Sequence, residues 1–264
     1  TPEHSAIYSQ YSFAVYPIAI QAIGATHQMI DATPWEADRP LGCDLPAMKA
    51  AINDQTRIIF IANPNNPTGS FLQADELKSF IASVPDDVIV VLDEAYLEYS
   101  PVDEQVDGSL WLSEFDNLVI TRTFSKAYGL AGFRVGYALS NPDVANVINR
   151  IRQPFNVNSL ALAAAAAAVN DTEFLEKSMR VNAAGMKALE ASCDRLGLRY
   201  VPSKGNFLLV DFGRDAMPIY QEMLEKGVIT RPVANYGLPN CLRITIGSEA
   251  EMARMVEVME QVCA

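Results

Sequence analysis

The stretch Asn117-Leu-Val-Ile-Thr-Arg-Thr-Phe-Ser-Lys126-Ala-Tyr-Gly129 decides how this 264-residue chain is read. Asn117 to Thr121 is a strongly apolar run of strand length, as expected of a strand buried on both faces of a parallel sheet. Just past its carboxyl end stands Lys126. It lies between a hydroxyl cluster (Thr121, Thr123, Ser125) and a glycine-spaced segment (Gly129, Gly132, Gly136). A lysine so placed is a candidate covalent catalyst. Burial or nearby positive charge lowers its pKa, and the neutral amine forms a Schiff base with a carbonyl. The hydroxyls and Arg134 are groups suited to holding a phosphate. A lone lysine in a βα loop is usually solvated, so the case depends on what the rest of the chain delivers.

Two upstream stretches repeat the pattern. Arg57-Ile-Ile-Phe-Ile-Ala62 ends in Asn63-Pro-Asn-Asn66-Pro-Thr-Gly69, a turn whose prolines fix the backbone. Val88-Ile-Val-Val-Leu92 ends in Asp93-Glu-Ala-Tyr96. The three strands recur at roughly thirty-residue intervals, the length of a βα unit. Parallel α/β sheets bind ligands at the carboxyl ends of their strands. Asn66, Asp93, Tyr96 and Lys126 are therefore expected to converge on one site. Singly, each has an ordinary reading: a turn for Asn66-Pro67, a helix N-cap for Asp93, a surface aromatic for Tyr96. It is their joint placement at strand ends that argues for a site.

Around these strands the spacing predicts further elements. Strands are expected over Ala6–Tyr8, Thr26–Ile30 and Arg134–Leu139, and helices over Pro17–Ala22, Leu45–Ile52 and Gln73–Ser83. An aromatic turn, Tyr8 to Tyr16, carries Phe13. The alanine-rich Ser159–Val169 is a helix on propensity, and Phe174–Leu196 reads as one long helix. Beyond Asn170 the texture changes. Strand candidates at Arg199–Val201, Asn206–Phe212, Gly227–Arg231 and Cys241–Ile246 alternate with helices at Met217–Lys226 and Ala250–Cys263. The fold expected is α/β, a mostly parallel sheet flanked by helices, in residues 1–170. A small C-terminal α+β domain follows in residues 171–264.

Composition excludes several classes. With 20 Lys+Arg against 32 Asp+Glu the net charge is −12, which does not attract nucleic acid or anionic membrane. Four scattered cysteines without a CxxC pair and only two histidines argue against a disulfide framework or a metal site, and fit a reducing cytoplasm. No signal peptide is read at the start, and no apolar run is long enough to span a bilayer.

Asn-Pro-Asn-Asn-Pro-Thr-Gly, Asp-Glu-Ala-Tyr and Thr-Phe-Ser-Lys, in this order, resemble the fold-type I pyridoxal 5'-phosphate (PLP) aminotransferases. Gly-Leu-Ala-Gly-Phe-Arg134-Val-Gly-Tyr, Arg231-Pro-Val-Ala-Asn-Tyr-Gly and Leu242-Arg243-Ile-Thr-Ile-Gly resemble the histidinol-phosphate aminotransferases in particular. The resemblance covers essentially the whole chain. It implies that Lys126 carries PLP as a Schiff base, with Asp93 against the pyridine nitrogen and Asn66 and Tyr96 near the ring oxygen. By the same resemblance Phe13 stacks on the ring, Thr123, Ser125 and Arg134 hold the phosphate, Arg243 clamps a carboxylate and Arg231 the substrate phosphate. The implied reaction moves an amino group between histidinol phosphate and 2-oxoglutarate, in a cytoplasmic homodimer of histidine biosynthesis. Family members carry roughly a hundred further residues ahead of Thr1, about one domain's worth. Those residues contribute backbone amides to the PLP phosphate, so the 264-residue chain alone is expected to hold PLP weakly or not at all. Aromatic-amino-acid transamination, phosphothreonine decarboxylation and a non-catalytic remnant of the same fold stay open as alternatives.

Overall fold

Apolar strands separated by amphipathic helices can hide both faces only by lying side by side with helices packed over them. The computed structural model, which describes residues 1–263, shows this arrangement. Six strands form the first sheet: β1 (Ser5–Ser9), β2 (Thr26–Ile30), β3 (Thr56–Ala62), β4 (Ile89–Asp93), β5 (Leu118–Thr123) and β6 (Gly136–Ser140). Their order is β2-β1-β3-β4-β5-β6. All neighbours are parallel except the β5–β6 pair, which is antiparallel. Alternation along β3 divides the packing. Ile59 and Ile61 join the main core with Leu77, Ile81, Val90, Leu92, Leu118 and Ile120, whereas Ile58, Phe60 and Ala62 face a second cluster with Tyr8, Tyr16 and Ile20.

Helices α1 (Val15–Ala22), α2 (Leu45–Ala50) and α3 (Ala74–Ile81) lie between the first four strands. The α2 start is fixed locally: the Asp44 carboxylate accepts from Ala47 N–H at 2.9 Å, with Pro46 in the first turn. After β6 comes α4 (Pro142–Ile151), then α5 (Ser159–Ala168) and the 25-residue α6 (Thr172–Leu196). Helix α4 is not anticipated above, although Asn141-Pro142-Asp143 carries its start signal and the Asn141 side chain caps it.

The second sheet is antiparallel, in the order β7 (Arg199–Val201), β8 (Phe207–Asp211), β10 (Cys241–Thr245), β9 (Arg231–Pro232). Helices α6, α7 (Ala216–Glu225) and α8 (Glu249–Cys263) cover one face through Leu189, Cys193, Met223, Val258 and Met259. Its other face packs Val201, Leu209 and Val233 against Leu41, Tyr11 and Trp35 from the first sheet's loops. The mostly parallel sheet and the small α+β unit are the architecture expected.

Two strand boundaries need correction. Gly227–Thr230 is not a strand. Gly227, at φ 81°, turns the chain out of α7, and pairing with β10 begins only at Arg231. The strand expected at Arg134 begins at Gly136, because Arg134 itself is left-handed at φ 54° after a single 3₁₀ turn. Gly136 is there for close approach: a Cβ would sit 2.7 Å from the Arg122 carbonyl oxygen across the pair.

Candidate active site

Adjacent parallel strands in register put their carboxyl ends in a row. Ala62 pairs with Asp93, and Asp93 with Thr121. The segments leaving β3, β4 and β5 therefore emerge together. They bound a cleft lined by Phe13, Ala62, Pro64, Asn66, Asp93, Ala95, Tyr96 and Lys126. Five of the sequence-selected residues thus meet in one place: Phe13, Asn66, Asp93, Tyr96 and Lys126.

The turn after β3 sorts its three asparagines by use. Asn63 is spent on the turn, donating to Leu72 O and accepting from Leu72 N–H. Asn65 is spent likewise, donating to Thr68 Oγ1 and Tyr11 O. Both flanking peptide bonds, Asn63-Pro64 and Asn66-Pro67, are cis. Asn66 alone faces the cleft, where its Oδ1 accepts from Arg243 Nη1 at 2.6 Å. Gly69, at φ 82°, lets the turn meet the second sheet's loop; a Cβ there would come 2.3 Å from Ser203 Oγ.

Asp93 ends β4 and accepts from the Tyr16 hydroxyl at 2.8 Å. Burial pushes its carboxyl pKa up, opposed by Tyr16, the Ala95 N–H, the Thr121 hydroxyl and Lys126. Lys126 is half-buried with its Nζ 5.3 Å from the centroid of the Tyr96 ring. Burial, then Arg243 and Arg134, hold its amine below the usual lysine range, against the pull of Asp93. The Tyr96 phenol is pushed up to about 12, mainly by burial; its ring meets Phe207 edge-on at 5.2 Å. The cleft therefore offers an amine biased toward neutrality, a half-buried carboxylate, an amide and a phenol.

Thr123, Ser125 and Arg134 form a neighbouring group. Thr123 Oγ1 accepts from Ser125 N–H at 3.1 Å, and Arg134 Nη1 reaches Ser125 Oγ at 3.4 Å while donating to Ala131 O at 2.9 Å. Two hydroxyls and a guanidinium so gathered suit a phosphate. Thr121, the third member of the hydroxyl cluster, is instead turned to Asp93.

From the second sheet, Arg243 reaches over Phe207, its Cζ 5.0 Å from the ring centroid. Its Nε is buried without a hydrogen-bond partner among the described residues. A buried guanidinium N–H left over is costly unless a ligand takes it. Arg231 is exposed and stands directly opposite Arg243 in the β9–β10 register. It does not line the cleft.

One buried group was missed by motif reading. Glu94 is fully buried behind the cleft. It accepts from Gly108 N–H at 2.7 Å and from Arg122 Nε at 2.8 Å, and Arg122 also bridges to Asp107. The only sequence signals are the acidic pair Asp93-Glu94 and Arg122 inside an apolar strand. Burial outweighs Arg122 and raises the Glu94 pKa to about 7. Because the folded value lies above the unfolded one, Glu94 favours folding most at low pH, and stability falls as pH rises from about 4.5 to 7. Arg122→Met should deepen that loss. We expect destabilisation of about 3–5 kcal/mol at pH 8, where a buried charge loses its partner, and clearly less at pH 5. Urea unfolding at both pH values measures it; equal losses would contradict a charge-based role.

A family model for aminotransferase class I and II matches residues 1–259. The histidinol-phosphate aminotransferase 2 of Pseudomonas fluorescens is 57% identical over 263 residues, covering 100% of this chain and 70% of the relative. That of Pseudomonas aeruginosa is 54% identical with the same coverage. The crystal structure of histidinol-phosphate aminotransferase from Sinorhizobium meliloti in complex with pyridoxal-5'-phosphate superposes with a TM-score of 0.89 at 30% identity. The superposition covers 98% of this chain and 70% of that one.

Proposed function

This chain belongs to the class I and II aminotransferase family, and from that premise we propose that it transfers an amino group from histidinol phosphate to 2-oxoglutarate with PLP. The products are imidazole acetol phosphate and glutamate. The observation that carries the reading is the convergence of Phe13, Asn66, Asp93, Tyr96 and Lys126 on one cleft.

The donor set fits PLP. Asp93 would face its ring nitrogen, Asn66 and Tyr96 its ring oxygen, and Thr123, Ser125 and Arg134 its phosphate. Phe13 would cover one face of the ring, and Lys126 would carry its aldehyde carbon. The partnerless Nε of Arg243 is left for an anionic group of the substrate. When bound, PLP supplies an electron sink for the charge left when a proton departs the substrate carbon. The chain's residues do the rest. Lys126 Nζ, biased toward the neutral amine, would take that proton as general base. Asp93 would favour the protonated ring nitrogen, as a carboxylate beside it does.

Substrate choice rests on the two arginines. Arg243 would bind the carboxylate of 2-oxoglutarate or glutamate through its planar fork, and Arg231 the phosphate of histidinol phosphate. Their direct cross-strand pairing concentrates positive charge where the two half-reactions bring different anions. Arg231→Gln removes the charge and keeps a donor. We expect catalytic efficiency with histidinol phosphate to fall about ten- to a hundred-fold, from the loss of roughly 1.5–3 kcal/mol. Activity toward an aromatic amino acid should fall much less. Equal losses would assign Arg231 to the shared carboxylate or to the fold.

No helix among the described residues is long and apolar enough to cross a membrane, and we take the enzyme to be cytoplasmic. We further propose a homodimer, supported by apolar side chains left exposed at Ile151, Phe155 and Leu160; a monomer in sedimentation velocity would remove it. A domain boundary near Asn170 is supported by separate cores, the first ending at Ile120 and the second beginning at Met186.

A further inference from the structure

Tyr16 has no part in the roles assigned above, yet it is the side chain that grips Asp93. It stands in the first turn of α1 and is buried. Its ring stacks on Phe60 of β3, centroids 4.8 Å apart and planes 12° from parallel, and meets Phe13 edge-on at 6.0 Å. Held by these two rings, the hydroxyl donates to Asp93 Oδ2 at 2.8 Å.

We propose that Tyr16 is a positioning residue for Asp93: its hydroxyl, aimed by the Phe60 stack, fixes one carboxylate oxygen and favours the ionised form, leaving the other oxygen for the cofactor's ring nitrogen. The proposal rests on the PLP reading of the cleft. Its chemical point lies in the choice of donor. A carboxylate in a dry site needs hydrogen bonds to stay ionised. A cationic donor would supply them but would also repel the proton that the ring nitrogen has to keep. A phenol supplies a hydrogen bond with no charge. Burial and Asp93 itself push the Tyr16 phenol well above its usual range, so it remains a donor. Among the groups that ease Asp93's burial Tyr16 stands first, ahead of the Ala95 N–H, the Thr121 hydroxyl from β5 and Lys126. The remaining neighbours do not compete: burial raises Tyr96 to about 12 and the Cys43 thiol to about 11, and both stay neutral.

If Tyr16 were only a core aromatic, phenylalanine would serve as well. Tyr16→Phe keeps both ring contacts and deletes the donor. The readout is the carboxyl titration of Asp93, followed by ¹³C NMR of aspartate-labelled, cofactor-free protein, with the signal assigned by its loss in Asp93→Asn. Tyr16→Phe should raise the Asp93 midpoint by about one pH unit, a tenfold gain in proton affinity. Placing 3-fluorotyrosine at position 16, a stronger donor of nearly the same shape, should lower it. This second variant decides the matter if Tyr16→Phe fails to fold by circular dichroism. An Asp93 midpoint that follows neither change overturns the proposal. Borohydride reduction of the unmodified protein in excess PLP keeps the two readings apart: a pyridoxyl label on a lysine other than Lys126 defeats the cofactor reading, whereas an unmoved Asp93 midpoint defeats the role of Tyr16.

Discussion

Lys126→Ala is expected to reduce transamination by at least about 10²–10⁴-fold, the contribution of a positioned general base. Lys126 leaves the end of β5 into a cleft where burial, Arg243 and Arg134 all disfavour its charged form. An ordinary surface lysine is protonated at neutral pH and has no lone pair with which to take a proton. Lowering its pKa is what fits this one for the task. The contact of Nζ with the Tyr96 ring, at 5.3 Å, is too weak to hold the amine charged against that desolvation. Lys126→Arg separates charge from proton transfer. Arginine keeps the positive charge and cannot be deprotonated, so it should be as inactive as alanine. A second readout does not depend on turnover. Borohydride reduction of the PLP-loaded enzyme, followed by peptide mapping, should leave the pyridoxyl mass on the peptide that contains Lys126. Label on another lysine, or an active Lys126→Arg enzyme, would end the assignment.

How much of this was legible beforehand depends on the kind of signal. Strands β3, β4 and β5 are apolar throughout, and their polar ends are abrupt, so both the elements and the convergence of their carboxyl ends follow from the sequence and the parallel-sheet rule. Register then does the placing: the pairs Ala62–Asp93 and Asp93–Thr121 bring residues some thirty apart to one edge. What sequence does not carry is the partnering of groups between elements. Apart from the family resemblance, nothing in Tyr8 to Tyr16 distinguishes Phe13, which lines the cleft, from Tyr16, which holds Asp93 from behind. Glu94 looks like a solvated neighbour of Asp93, yet alternation along the chain turns it into the core against Arg122. The Gly227–Thr230 strand failed for a similar reason. Its β-branched residues favour a strand locally, but pairing is settled by the partner, and β10 offers its edge only opposite Arg231 and Pro232.

In a protein that also carries the segment found ahead of Thr1 in the relatives, Asp93→Ala should leave PLP bound while cutting turnover by about 10²–10³-fold, the range seen when one preorganised electrostatic group is removed. PLP should be retained because the other contacts proposed for it lie elsewhere: the Thr123, Ser125 and Arg134 group is bonded within itself rather than to Asp93, and Asn66 comes from the turn after a different strand. Turnover should collapse because Asp93 is the only carboxylate lining the cleft among the described residues, so without it no anion keeps the ring nitrogen protonated as negative charge develops. Asp93→Asn is the sharper version. It preserves shape and can still accept from Tyr16, but its neutral amide cannot favour a protonated ring nitrogen, so its loss should approach that of alanine. The pH dependence has a fixed sign. Burial lifts the Asp93 pKa above the usual aspartate value. Only the ionised form serves, so activity should fall as pH drops through that raised value and should be complete above it. In Asp93→Asn this acid limb should disappear from the residual activity. Unchanged turnover in either variant, or an acid limb that survives in Asp93→Asn, would place the proton control at another group.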